Sequence, residues 1–263
     1  MINLPLIKRN FKNILTHPVI MMLILLMVIM LLLIVFNLEI KYKGGKITYL
    51  KFFYEFQESE ISVWGVRLIE NVFGLLSSAI MFFLILQSSS LLPELIKSSM
   101  LTLLLTKIRN RFKLFLSYLM SELIVVFVLI GCFGLLITLI VYVKSNGFLT
   151  FLPIASSLAL LLKFASIFGF ISILGLISRN STFIALVALL TYFVLIPLVA
   201  NADKHFGNSL LVYLKYVFPP ALSDAELYLK LLNGEVQSVL FTLAYILLYF
   251  TISVRLFESM EIT

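Results

Sequence analysis

Glu122 and Lys163 are the charged residues that fall deepest inside long apolar runs, Glu122 about ten residues into one run and Lys163 near the middle of the next. A lone charge in hydrocarbon costs several kcal/mol, so each must face a partner, the bundle interior or water. Three arrangements satisfy that demand. The two charges can pair across consecutive antiparallel helices, or line a polar path for a substrate. Alternatively Glu122 sits at the inner interface while Lys163 bonds to hydroxyls such as Ser157 and Ser166. Other chemistries have no residues to run on. There is no GxxxxGK[ST] phosphate loop and no HExxH. The two His residues, His17 and His205, fall on opposite sides of the expected membrane, and the two Asp residues, Asp203 and Asp224, both fall outside it. No catalytic, cofactor-binding or metal-ligating residue is therefore expected in this chain. The single cysteine, Cys132, lies in an apolar run and forms no intrachain disulfide.

These charges need a lipid-embedded scaffold, and the composition supplies one. Hydrophobic residues make up 62% of the 263 and charged residues 13%, against about a quarter charged in soluble domains. With a mean hydropathy of +1.12, the expected fold is all-α and polytopic, a single transmembrane domain over residues 1–263. Six apolar segments fit spans: Val19–Leu38, Val66–Leu92, Phe112–Val143, Phe151–Ile177, Thr182–Ala200 and Val236–Val254. Before the first, Leu4, Ile7, Phe11, Ile14 and Leu15 share one helical face and Lys8, Arg9, Lys12 and Asn13 another, as in a helix lying at the interface over residues 1–17. No cleavage site for a signal peptide stands out, so the first span is expected to remain in the chain.

Between the spans, Ile40–Trp64 mixes four Lys, three Glu and seven aromatics around Gly44-Gly45, and reads as a solvated loop hugging the far surface. Lys144–Gly147 and Ser178–Ser181 are short turns. Residues 201–237, with Pro219-Pro220 and apolar runs too short to cross, read as re-entrant or interfacial helices on the outer side. An even number of spans places both termini on one side, which the basic N-terminus makes cytoplasmic. The net charge of +7 fits anionic headgroups and topology rather than nucleic acid, because its cations do not form one patch.

The densest basic cluster, Lys107, Arg109, Arg111 and Lys113, lies between the second and third spans. Just before it, Pro93 and Glu94 are suited to open a short helix, and Met100, Leu101, Leu104 and Leu105 recur at helical spacing. This stretch resembles the cytoplasmic loop of type-2 ATP-binding-cassette (ABC) exporter permeases. Glu94 matches the family's acidic residue, Ser98 and Ser99 its small-residue turn, Leu103 to Leu105 its Leu-rich run, Thr106 and Lys107 the lead-in, and Arg111 its arginine. Leu114, Phe115 and Leu116 match the start of the next span. Ile108, Ser117 and Tyr118 depart from the Pro, Gly and Lys usual there.

The resemblance implies a permease subunit of the cell inner membrane, of the nitrous oxide reductase maturation or drug-export group. An N-terminal elbow helix would precede the first span. Residues 91–111 would form a cytoplasmic coupling-helix loop, with Glu94, Lys97, Ser98, Ser99 and Arg111 engaging the ATPase. A separate ABC ATPase would bind ATP and Mg and hydrolyse the nucleotide, and a second permease copy, in a homodimer, would complete the path. An extracytoplasmic accessory protein is a further implied partner. Two other readings are a non-transporting membrane anchor that transmits ATPase work outward and an intramembrane enzyme, the latter disfavoured by the missing residues above.

Overall fold

In the computed structural model, the described residues are 4–43, 46–52, 54–57, 61–97, 111–147, 151–200 and 237–259. Six of the helices are long and apolar enough to cross a membrane. The molecule is a multi-pass membrane protein. Helix α1 (Leu4–Leu15) turns at Thr16-His17 into α2 (Pro18–Asn37), whose proline occupies the first helical position, where its missing N–H costs nothing. After a small sheet come α3 (Ile61–Lys97), α4 (Arg111–Lys144) and α5 (Leu152–Ser178). The fifth span, α6, begins as Ser181–Leu190, continues through a π-helical turn at Thr191–Leu195, and ends as Ile196–Ala200. The last span is α7 (Gln237–Ser259).

The sheet replaces the loop expected after the first span. Strands β1 (Glu39–Lys43), β2 (Lys46–Phe52) and β3 (Tyr54–Gln57) form an antiparallel meander in the order β1-β2-β3. The physical reason lies in the alternation of charged residues with Ile, Tyr, Leu and Phe, which is the period of a strand. In sequence Gly44-Gly45 separates β1 from β2, and the pair lies outside the described residues. Across β1 and β2, Glu39 faces Lys51 and Lys41 faces Tyr49, with the Lys41 ammonium 5.1 Å from the Tyr49 ring centre. The membrane-crossing part remains all helical. The re-entrant helices expected over 201–237 lie outside the described residues, save Gln237, which opens α7.

Turn chemistry sets the reversals. At α4–α5, Asn146 and Gly147 take positive φ values (54° and 110°), and the Gly147 amide bonds back to the Tyr142 carbonyl. At α5–α6, Arg179 is left-handed, and the Asn180 side chain caps α6 by accepting from the amides of Thr182 (3.1 Å) and Phe183 (3.3 Å). Pro197 has no amide to offer the Phe193 carbonyl. In the turn before it the ladder widens, and the Ile196 amide reaches the Thr191 carbonyl five residues back.

Helix α5 is the hub of the bundle, packing on α3, α4, α6 and α7. Contacts at one end fix which termini share a side. Phe115, near the start of α4, stacks on Phe257, near the end of α7, with centroids 4.6 Å apart and planes 13° from parallel. Leu92, near the end of α3, meets Gly175, near the end of α5. Helix α1 packs along α4 with Ile14 buried and Lys12 exposed, so its apolar face meets protein as well as lipid. This near side therefore carries α1, Glu94, Lys97, Arg111, Lys113, Arg179 and Arg255, and the sheet lies at the far side.

Candidate functional site

Polar atoms inside a bilayer have no water to bond, so a buried polar layer marks where the bundle does something other than exclude lipid. Such a layer lies between α3 and α4. Residues Gln87 to Ser90 form a polar run one turn before Pro93, and all but Ser90 are buried. The hydroxyls of Ser89 and Ser90 donate back along their own helix, to the carbonyls of Ile85 (2.6 Å) and Gln87 (2.9 Å). Pro93, one turn on, has no amide to donate to the Ser89 carbonyl. Gln87 and Ser88 are left to point across the bundle.

What they meet is Glu122. The Ser88 hydroxyl donates to Glu122 Oε1 at 3.1 Å, and the Gln87 amide nitrogen donates to Oε2 at 3.5 Å. All three side chains are fully buried. One turn earlier on α4, Tyr118 is close enough to interact with the charges of both Glu122 and Glu94, and Ser121 bonds to the Tyr118 carbonyl at 2.6 Å. Two polar atoms of this layer have no hydrogen-bond partner, Gln87 Oε1 and the Tyr118 hydroxyl. Helices α3 and α4 both pack on α5, and this bridge adds a direct polar link between them.

The expected residues are thus distributed unevenly. Glu122 takes its bonds from α3, whereas an ion pair with Lys163 on α5 was one of the arrangements open to it. Lys163 is half-buried. The hydroxyls expected near it donate to backbone, Ser166 to the Lys163 carbonyl at 2.8 Å and Ser157 to the Pro153 carbonyl at 2.8 Å, which leaves their oxygens able to accept. Of the coupling residues, Glu94 is exposed in the last turn of α3, Lys97 closes that helix, and Arg111 opens α4 half-buried. Ser98 and Ser99 lie outside the described residues. Pro93 does not open a separate helix, because α3 runs through it to Lys97; a proline in a lipid-embedded helix is tolerated where neighbouring helices re-satisfy the backbone.

Sequence reasoning passed over Gln87 and Ser88. The signal available was a polar tetrad, Gln87 to Ser90, inside a run otherwise apolar enough to span, at a similar distance from the near-side turn as Glu122. If Ser88 and Glu122 form one unit, their effects on stability must be coupled. Ser88→Ala and Glu122→Gln, made singly and together, are expected to show an interaction energy of about 0.5–2 kcal/mol in thermal unfolding of the detergent-solubilised chain. Glu122→Gln and Lys163→Met are expected to add independently. The opposite pattern would place Lys163 in the pair.

Compared with known proteins, the chain matches no protein-family model and no curated sequence.

Proposed function

We propose that the chain is the membrane-spanning subunit of an ABC exporter, moved by a separate ATP-hydrolysing subunit. The observation that carries this reading is the assembly at the near side, where three features meet. An amphipathic N-terminal helix packs on α4, α3 ends at Lys97 shortly after the exposed Glu94, and α4 begins at Arg111 on the same side. Both flanking helices are long. At 1.5 Å per residue, α3 with 37 residues and α4 with 34 reach about 55 and 51 Å, well beyond a hydrocarbon core of about 30 Å. In α3 the candidate span is Leu76–Ile96, so its excess length lies toward the far side, and the rigid near-side extension by which a soluble motor would turn the spans falls to the first turns of α4. The clustered cations make this the cytoplasmic side.

Glu94, Lys97, Ser98 and Ser99 form the contact with the motor in this reading, and Arg111 anchors the chain's return into the membrane. A second copy of the chain completes the path. The outer faces of α2 and α7 present rows of exposed apolar side chains, Met21, Leu25 and Leu32 on one and Leu240, Leu247 and Leu248 on the other, which suit lipid or a second protomer.

Reversing the charge at the exposed end of α3 separates a motor contact from a structural role. Glu94→Lys is expected to accumulate in the membrane as the wild type does and to lose at least tenfold in co-purified ATPase. Undiminished retention of the ATPase would count against the assignment.

A further inference from the structure

We propose that Glu122, with Gln87 and Ser88, is a proton-binding site within the membrane. An ionised carboxyl accepts hydrogen bonds and donates none. Here it is wholly buried between two helices, and its partners are a hydroxyl and an amide, both neutral. Beside it, Gln87 Oε1 is an equally buried acceptor with nothing to accept from. As an ionised group the cluster therefore holds one negative charge too many and one acceptor too many. A single proton on the carboxyl corrects both, since it cancels the charge and, with the Gln87 amide turned over, gives the idle amide oxygen a donor. Unlike a metal ion, it needs no room in a close-packed layer.

The surrounding charges leave that role to Glu122. Tyr118 on the same helix interacts with the carboxyl, and Glu94 at the end of α3 interacts with Tyr118. Lys12 on α1 and His17 after it, Lys163 on α5, and Arg255 and Glu258 on α7 belong to the elements packed around this layer and are not among the carboxyl's partners. The buried His17 Nδ1 is itself without a partner, but it sits at the junction of α1 and α2. Because the bridge is a direct polar link between α3 and α4, loading or unloading the proton changes the attraction between the two helices that flank residues 98–110. The site stands on these contacts alone and survives if no ATPase binds the chain.

Infrared spectroscopy of the full-length chain in lipid vesicles, titrated with acid and alkali, tests this. The expected result is a carboxylic-acid C=O band that titrates reversibly, is absent from Glu122→Gln, and shifts in frequency in Gln87→Leu and Ser88→Ala. Glu122→Gln, the neutral isostere of the protonated acid, is expected to accumulate normally. Three results would overturn the proposal: identical acid bands in wild type and Glu122→Gln, failure of Glu122→Gln to accumulate, or conversion of the band to carboxylate on adding sodium chloride at fixed pH, which would make the occupant a sodium ion.

Discussion

Replacing Gly169 with alanine is expected to loosen α7 from the bundle, whereas the same replacement at Gly131 is expected to be neutral or stabilising. The two glycines both lie in long helices, so a propensity argument treats them alike and predicts a gain of up to about 1 kcal/mol for either. Packing separates them. A Cβ added at Gly131 meets nothing within 4 Å, while one at Gly169 lies 2.8 Å from Tyr249 Cβ, an atom one bond from the α7 backbone that cannot swing away. Around that contact, the Ser253 hydroxyl reaches the Gly169 carbonyl at 3.4 Å and Phe168 meets Phe250 edge-on at 6.0 Å. Without a hydrophobic drive between helices in lipid, such close approach and dispersion supply the association. Helix α7 is the least buried of the six spans, and besides this seam it is held by the Phe257 stack on Phe115. The expected loss is about 1–3 kcal/mol for Gly169→Ala, and more for Gly169→Val, where branched methyls extend the clash. Thermal unfolding in detergent reads the difference. A Gly169→Val chain as stable as Gly131→Ala would show that α7 is not seated on this seam.

Placing a cation in the polar layer is expected to be the most damaging single change in the membrane interior. In Glu122→Lys the hydroxyl of Ser88 and the amide nitrogen of Gln87, which now point donors at a carboxyl, would meet a charged donor in a site with no anion to spare. An uncompensated buried charge costs about 3–5 kcal/mol, or at least a hundredfold in the folded population at about 1.4 kcal/mol per factor of ten. Glu122→Gln keeps shape and neutrality and is expected to stay within about 1 kcal/mol of the wild type. The contrast is measured as accumulation of full-length chain in membranes. Equal accumulation of the lysine and glutamine variants would mean that the side chain at 122 faces water or headgroups.

Why some of this was legible in the sequence and some was not follows from which forces write periodic patterns. Span positions are written by hydropathy alone, and the six helices begin and end close to the expected boundaries except α3, which starts before Val66 and passes Pro93, and α7, which runs beyond Val254 to Ser259. The N-terminal helix α1 was legible because Leu4, Ile7, Phe11 and Ile14 recur at helical spacing opposite Lys8, Arg9 and Lys12. The sheet was hidden by its charges. The alternation from Glu39 to Gln57 is regular, but seven aromatics beside a bilayer fit an interfacial loop equally well, and only cross-strand pairs such as Glu39 with Lys51 distinguish the two. Rotation of the spans left no pattern to read. A helix such as α4 is apolar almost all round, so nothing in its composition tells whether Glu122 turns toward α3 or α5. Small residues at crossings decide it, at Gly134 against Ser157 and Pro153 and at Gly169 against Tyr249, and these act only once the helices are in place. The carboxyl was therefore expected to need a partner, but whether that partner was Lys163 or Ser88 and Gln87 depended on tertiary packing.

The central claim is that the segment between α3 and α4 is gripped by an ATP-hydrolysing subunit. It is tested most directly by purifying the full chain from its own membranes in mild detergent with a photo-crosslinking residue at position 97. The account predicts a stoichiometric ATPase bearing a phosphate loop, joined to the chain by light at position 97 and not by the same residue placed at 146 on the opposite side. A chain that purifies alone, or an ATPase that crosslinks at 146 and not at 97, would contradict it.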